Sequence, residues 1–260
     1  MAAAQQWTRF VALGDSFTEG IGDPEPRSPG GHRGWADRVA EVLAAGDDGF
    51  AYANLAVRGR LLRQILDEQL EPALALAPDL VSVSAGGNDI IRPGTDPDEL
   101  SARLEEAIAR LAGSGATVAL FTGPDVGGTP VMGIVRGKAA VYNENLRAIA
   151  QRHGSVVVDL WAATELRDPR MWADDRLHFS PVGHQAIARR VLDALGVAHG
   201  LQPWEAEPLP LKSWRQARLE DAAWAREHFA PWVVRRLKGT SSGDGVGPKR
   251  PTAGPVGDVP

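Results

Sequence analysis

A serine hydroxyl stands directly behind a short apolar run: Phe10-Val11-Ala12-Leu13 leads into Gly14-Asp15-Ser16-Phe17-Thr18-Glu19-Gly20. At the carboxyl end of a buried strand, such a hydroxyl faces the crevice in which open α/β sheets bind ligands. The block is not a Gly-x-Ser-x-Gly elbow, because no glycine stands two residues after Ser16. It also lacks the Gly-Lys-Ser/Thr of a phosphate loop and the three spaced glycines of a dinucleotide fingerprint. Far along the chain, Asp175-Arg176-Leu177-His178 sets an aspartate three residues before a histidine. Within one turn that carboxylate can accept the Nδ1 proton, fix the tautomer and leave Nε2 as a base. Asp174 is a rival partner without that spacing. Between these blocks, Arg58-Gly59-Arg60 and Gly86-Gly87-Asn88-Asp89 offer a glycine N–H and an asparagine amide. Together with the Ser16 N–H they form a candidate three-donor oxyanion hole. Each block alone also fits ordinary turn or salt-bridge chemistry.

Placement separates the two readings. Residues 10–13, Tyr52-Ala53-Asn54-Leu55-Ala56, Leu80-Val81-Ser82-Val83-Ser84, Thr117-Val118-Ala119-Leu120-Phe121 and Val156-Val157-Val158 are short apolar runs bounded by Gly, Pro, Asp or Asn. They read as buried parallel strands. Amphipathic stretches lie between them. One carries Trp35, Val39, Val42 and Leu43, and the next Leu61, Leu62, Ile65 and Leu66. Asp96-Pro97-Asp98-Glu99 caps a third, and further helices are predicted from about Arg136 to Arg152 and from Pro181 to Leu195, the latter capped by Ser180. This alternation predicts a doubly wound α/β sheet of about five parallel strands. All four chemical blocks then fall in loops at one edge of one sheet, in the order nucleophile, acid, base.

The chain has 260 residues and a formal charge of −5, with 43% hydrophobic and 23% charged residues. That balance is globular, and the mild acidity argues against a nucleic-acid partner. With no cysteine, thiol catalysis, disulfides and Cys-ligated metals are excluded. A metal site from His178, His184 and Asp175 lacks any recognised ligand spacing, so neither metal nor cofactor is expected. His184 reads as a packing or capping residue of the last helix. No secretory signal or membrane-spanning run is evident, and a cytoplasmic protein is expected. The predicted organisation is a main domain over 1–200, a Trp-rich helical extension over 201–238 packed on it, and a disordered tail over 239–260. The extension holds Trp204, Trp214, Trp224 and Trp232, with one helix from Leu211 to Ala230 stopped by Pro231. Ten of the 22 tail residues are Gly or Pro, without apolar periodicity. Ile21 to Arg33 and Pro124 to Gly137 read as walls of a cleft for small or modestly apolar acyl groups.

The four blocks resemble those of the SGNH (GDSL) hydrolases, named for a Ser, a Gly, an Asn and a His in separate blocks. Gly14-Asp15-Ser16-Phe17 is similar to the first, with Phe17 in place of the usual leucine. Gly59, Gly87-Asn88-Asp89 and Asp175-Arg176-Leu177-His178 match the others, and the likeness covers about residues 8 to 196. It implies a flavodoxin-like α/β/α sandwich. It further implies Ser16 as nucleophile, His178 as general base and then acid, and Asp175 as its orienting partner. Ser16, Gly59 and Asn88 would supply the oxyanion donors. The expected activity is metal-independent hydrolysis of small-molecule carboxylic esters through an acyl-Ser16 intermediate. Acyl transfer, thioester hydrolysis and carbohydrate deacetylation are variants of the same site. A non-catalytic flavodoxin-like module holding an anion at the Gly14–Gly20 loop is the alternative from another class. The cysteine-free core and Trp-rich extension also look like actinobacterial intracellular members.

Overall fold

The computed structural model describes residues 7–129, 132–205, 208, 213–231, 234 and 240–257. Five parallel strands form the sheet: β1 (Arg9–Gly14), β2 (Ala51–Asn54), β3 (Leu80–Ser84), β4 (Thr117–Phe121) and β5 (Val156–Val158). A sixth, β6 (Arg250–Gly254), runs antiparallel along the outer edge of β2, giving the order β5-β4-β3-β1-β2-β6. The parallel part has the flavodoxin-like order, with the switch point between β1 and β3.

Successive residues of β1 face opposite layers. Phe10 and Ala12 pack with Trp35, Val39, Ile187 and Val191, and Val11 and Leu13 with Leu62, Leu104, Ile108 and Leu146. Helices α2 (Gly34–Leu43) and α7 (Pro181–Ala194) therefore cover one face, and α3 (Leu62–Ala75), α5 (Pro97–Gly113) and α6 (Arg136–His153) the other. Two short helices, α1 (Ser16–Glu19) and α4 (Gly87–Ile90), sit directly after β1 and β3. The caps act as the sequence implies. Asp96 accepts from the Asp98 and Glu99 N–H groups, and Ser180 from Gly183 N.

Two expectations need correction. The five parallel strands are those expected, but the segment expected to be a disordered tail supplies a sixth, antiparallel strand. Free backbone groups on the edge of β2 provide the pairing that apolar periodicity does not. Lys249 anchors the strand: its buried ammonium donates to the carbonyls of His32 and Arg33 and to Asp37 Oδ2 at 2.8–2.9 Å. In the Trp-rich extension, the regular helix is α8 (Trp214–Trp224). It continues through a π-helical turn, Ala225–Phe229, rather than running regularly to Pro231. Leu211 and Trp232 lie outside the described residues.

Candidate active site

Ser16 opens α1 immediately beyond β1, so its N–H has no acceptor within the helix. The turn is fixed from several sides. Asp15 caps it by accepting from Phe17 N at 3.0 Å. The buried Gln69 amide grips the Gly14 N–H and carbonyl, both at 2.8 Å. Phe17, the departure from the usual leucine, packs into an aromatic cluster with ring centres 5.5 Å from Trp35 and 5.6 Å from Phe121 and Phe179.

Three of the four blocks are joined by hydrogen bonds. Asn88 Nδ2 donates to Asp15 Oδ2 at 3.0 Å and to the Arg60 carbonyl at 3.1 Å, tying the third block to the first and second. Glu19 accepts from Arg58 N at 2.7 Å and forms an ion pair with the Arg58 guanidinium, tying the second to the first. Gly59 follows with φ 73°, a left-handed conformation that suits glycine. An amide has two N–H protons, so an oxyanion bound by Asn88 must displace or share one of its two bonds. Above about pH 6 Asp15 is a carboxylate, so the neutral Arg60 carbonyl is the weaker competitor.

The fourth block closes on the first from across the edge. A methyl group at Gly22 would lie 2.1 Å from the Phe179 carbonyl oxygen and 3.2 Å from His178 Cβ. The rings of Phe17 and Phe179 also meet edge to face, their centres 5.6 Å apart. Between them, Asp175 and His178 form the expected turn. His178 Nδ1 meets Asp175 Oδ2 at 2.5 Å, and Asp175 Oδ1 accepts from the backbone N–H of Leu177 and His178. Burial raises the Asp175 carboxyl. The His178 hydrogen bond and charge, with the two backbone donors, more than offset this and hold it well below the usual carboxylate range. Asp175, not Asp174, is thus the histidine's partner.

Residues the sequence did not single out complete the setting. Burial pushes Asp15 up to about 6, against the Phe17 N–H and the charge of His178. Glu19 is 4% exposed and ties the turn to the Gly59 loop. An acid beside the serine and another three residues later are visible in the sequence, but their partners, Asn88 and Arg58, are not. His184 is structural, as its position in the last helix suggests. It is fully buried, accepts from Trp35 N through Nδ1 and donates to the Ile21 carbonyl, and burial takes it well below the ordinary histidine range. Among the described residues no cluster of three or more His, Cys, Asp or Glu could hold a metal ion. No helix among them is long and apolar enough to cross a membrane.

Residues 12–186 match the GDSL-like lipase/acylhydrolase family. The chain belongs to this family. It is a GDSL-family esterase, acting on ester bonds. An acetylxylan esterase of Geobacillus stearothermophilus is 28% identical in an alignment of 210 residues that covers 72% of this chain and 94% of that protein. LAE5, an α/β hydrolase from the metagenome of Lake Arreo, Spain, superimposes with a TM-score of 0.62 at 26% identity, over 74% of this chain and 97% of that one. A catalytic mutant of the acetylxylan esterase Axe2 from Geobacillus stearothermophilus gives 0.63 at 24% identity, over 76% and 98%. Catalytic mutants of Axe2 replace a serine, an aspartate and a histidine, the last two three positions apart.

Proposed function

We propose that this GDSL esterase removes small acyl groups, acetyl foremost, from a sugar or comparable polyhydroxy alcohol, using Ser16, His178 and Asp175. The observation that carries the assignment is the Asp175–His178 pair, closed at 2.5 Å on a loop that packs against the Ser16 turn. Ser16 Oγ attacks the ester carbonyl as His178 Nε2 takes its proton, while Asp175 steadies the imidazolium. The N–H groups of Ser16 and Gly59 and the Asn88 amide bind the oxyanion, Asn88 loosening its bond to the Arg60 carbonyl. Collapse of the tetrahedral intermediate expels the alcohol, protonated by His178. Water then releases the acid by the same route.

The acetyl preference is supported by the acetylxylan esterases to which the chain is similar. The Asp–His spacing in Axe2 also matches that of Asp175 and His178. The rim past β4 and β5 is polar and aromatic, with Asp125 between Arg136 and Arg167 and the Arg136 guanidinium over Trp161. Such a surface suits a hydroxylated leaving group better than a long acyl chain. The proposed setting is the cytoplasm, in a form akin to actinobacterial intracellular members, consistent with a sequence free of cysteine.

A series of p-nitrophenyl esters from acetyl to dodecanoyl, run beside acetylated xylo-oligosaccharides and an acyl-CoA, tests this reading. Rates should fall with acyl length, and the acetylated sugars should be turned over. A preference for long chains or for the thioester contradicts it.

A further inference from the structure

Two segments beyond the family region, which ends at residue 186, reach back onto the loops of the proposed site. The first is α8. Trp224 Nε1 donates to the Asp175 carbonyl at 2.9 Å, and Arg176 lies 5.1 Å from the Trp224 ring centre while pairing with Asp221 at 2.8 Å. Arg176 has φ 55°, a left-handed backbone conformation that an arginine rarely adopts. It is the residue at which the chain turns to bring Asp175 and His178 together. The indole and Asp221 therefore grip the acid–base turn at the point where its own backbone is least favourable.

The second segment is the turn over residues 241–244. A methyl group at Gly59 would come within 2.2 Å of Ser241 Oγ, and one at Gly243 within 2.0 Å of the Arg58 carbonyl. The turn is tied internally: Ser241 N donates to Asp244 Oδ2 at 2.8 Å, and Gly243 N to Ser241 Oγ at 3.1 Å. Lys249 and β6 then fasten the chain to the sheet. The loop bearing Gly59 is thus packed from outside by a segment that is itself anchored.

We propose that α8 and the 241–244 turn are part of the active site: α8 positions the Asp175–His178 pair, and the 241–244 turn positions the Gly59 oxyanion donor. This rests on the assignment of Ser16, His178 and Gly59 made above. Catalytic groups must be held within about 0.5 Å of their working geometry, and loops alone hold them poorly. Trp224 and Gly243 are accordingly positioning residues. Neither touches the reacting atoms.

The two arms have different signatures. Trp224→Phe keeps an aromatic ring beside Arg176 while deleting the N–H donor and part of the indole's area. It should lower kcat about fivefold with KM unchanged. It should also move the acid limb of the kcat/KM profile to lower pH, because a looser Asp175 supports the imidazolium less. A merely structural role would reduce stability and leave that limb in place. Gly243→Ala pushes on the Arg58 carbonyl and should lower kcat about tenfold or more, with the acid limb where the parent has it. Should Gly243→Ala fail to fold, Ser241→Ala reads the same arm, with about a twofold loss of kcat expected from the missing bond to Gly243 N. Parent-like kcat and pH profiles in Trp224→Phe and in the variants of the turn overturn the proposal, given an inactive Ser16→Ala in the same assay. An active Ser16→Ala would instead overturn the catalytic assignment on which the proposal stands.

Discussion

The proposed nucleophile and its proposed base occupy two kinds of structure. Ser16 follows a central strand directly, and its turn is gripped by buried groups: Gln69 on Gly14, Asn54 Nδ2 on the Thr18 carbonyl at 2.9 Å, and Glu19 on Arg58. His178 lies in the irregular connection over residues 159–180. There a backbone bridge between Trp172 and Phe179 is reinforced by side chains: Trp172 stacked 4.3 Å from Phe179, Trp172 Nε1 on the Leu166 carbonyl, and Trp224 on Asp175. A turn set on a core strand and gripped by buried groups loses stability before geometry. An irregular loop beyond the sheet can lose geometry while the fold stays intact. Damage on the two sides should therefore register in different measurements.

The largest separation should come from the base side. Asp175→Asn keeps the shape but offers Nδ1 the wrong partner, and kcat should fall about 10⁴-fold, a loss that outweighs the accompanying fall in unfolding free energy. A loss below tenfold would mean that the 2.5 Å contact is structural. Gln69→Leu is the counterpart on the nucleophile side. It leaves the Gly14 N–H and carbonyl buried without their partner, which should cost about 3 kcal/mol in urea unfolding, with kcat of the folded protein within a factor of ten. A larger fall in rate than in stability would erase the contrast.

A smaller and continuous test is the pH dependence of stability. Asp15 is raised to about 6 in the folded protein, so its contribution is complete below the unfolded value and is lost as pH rises through 6. Asp175 is lowered, so its contribution is present above the unfolded value and is lost as pH falls toward the folded one. Unfolding free energies measured from pH 3 to 8 should lose slope between about 4 and 6 in Asp15→Asn. The Asp15 term is about 3 kcal/mol at most, from roughly two pK units. In Asp175→Asn the change should instead fall below about pH 4. Identical profiles in the two variants would show that both carboxyls share one environment.

The same contrast governs what the sequence revealed. The strand–helix alternation, the caps at Asp96 and Ser180 and the order of the four blocks are local signals, and the structure places each where they imply. The bonds joining the blocks were not legible: Asn88 reaches Asp15 across 73 residues, and Arg58 reaches Glu19 across 39. Residue type announces a donor or an acid, but only the fold supplies its partner. The strand at Arg250–Gly254 escaped for another reason. Arg-Pro-Thr-Ala-Gly has no alternating pattern, and its place is secured by backbone pairing to β2 and one buried lysine. Of the two tryptophans of α8, Trp214 is exposed and Trp224 reaches the carbonyl of Asp175, a difference their residue type does not announce.

The central claim, that the Ser16 hydroxyl is the nucleophile driven by His178, is tested most directly by labelling with a fluorophosphonate and mapping the modified peptide. The account predicts one adduct, on Ser16, that forms far more slowly in His178→Ala and not at all in Ser16→Ala, with ester hydrolysis lost in step. An adduct on another residue, or turnover by Ser16→Ala at the parent rate, would contradict it.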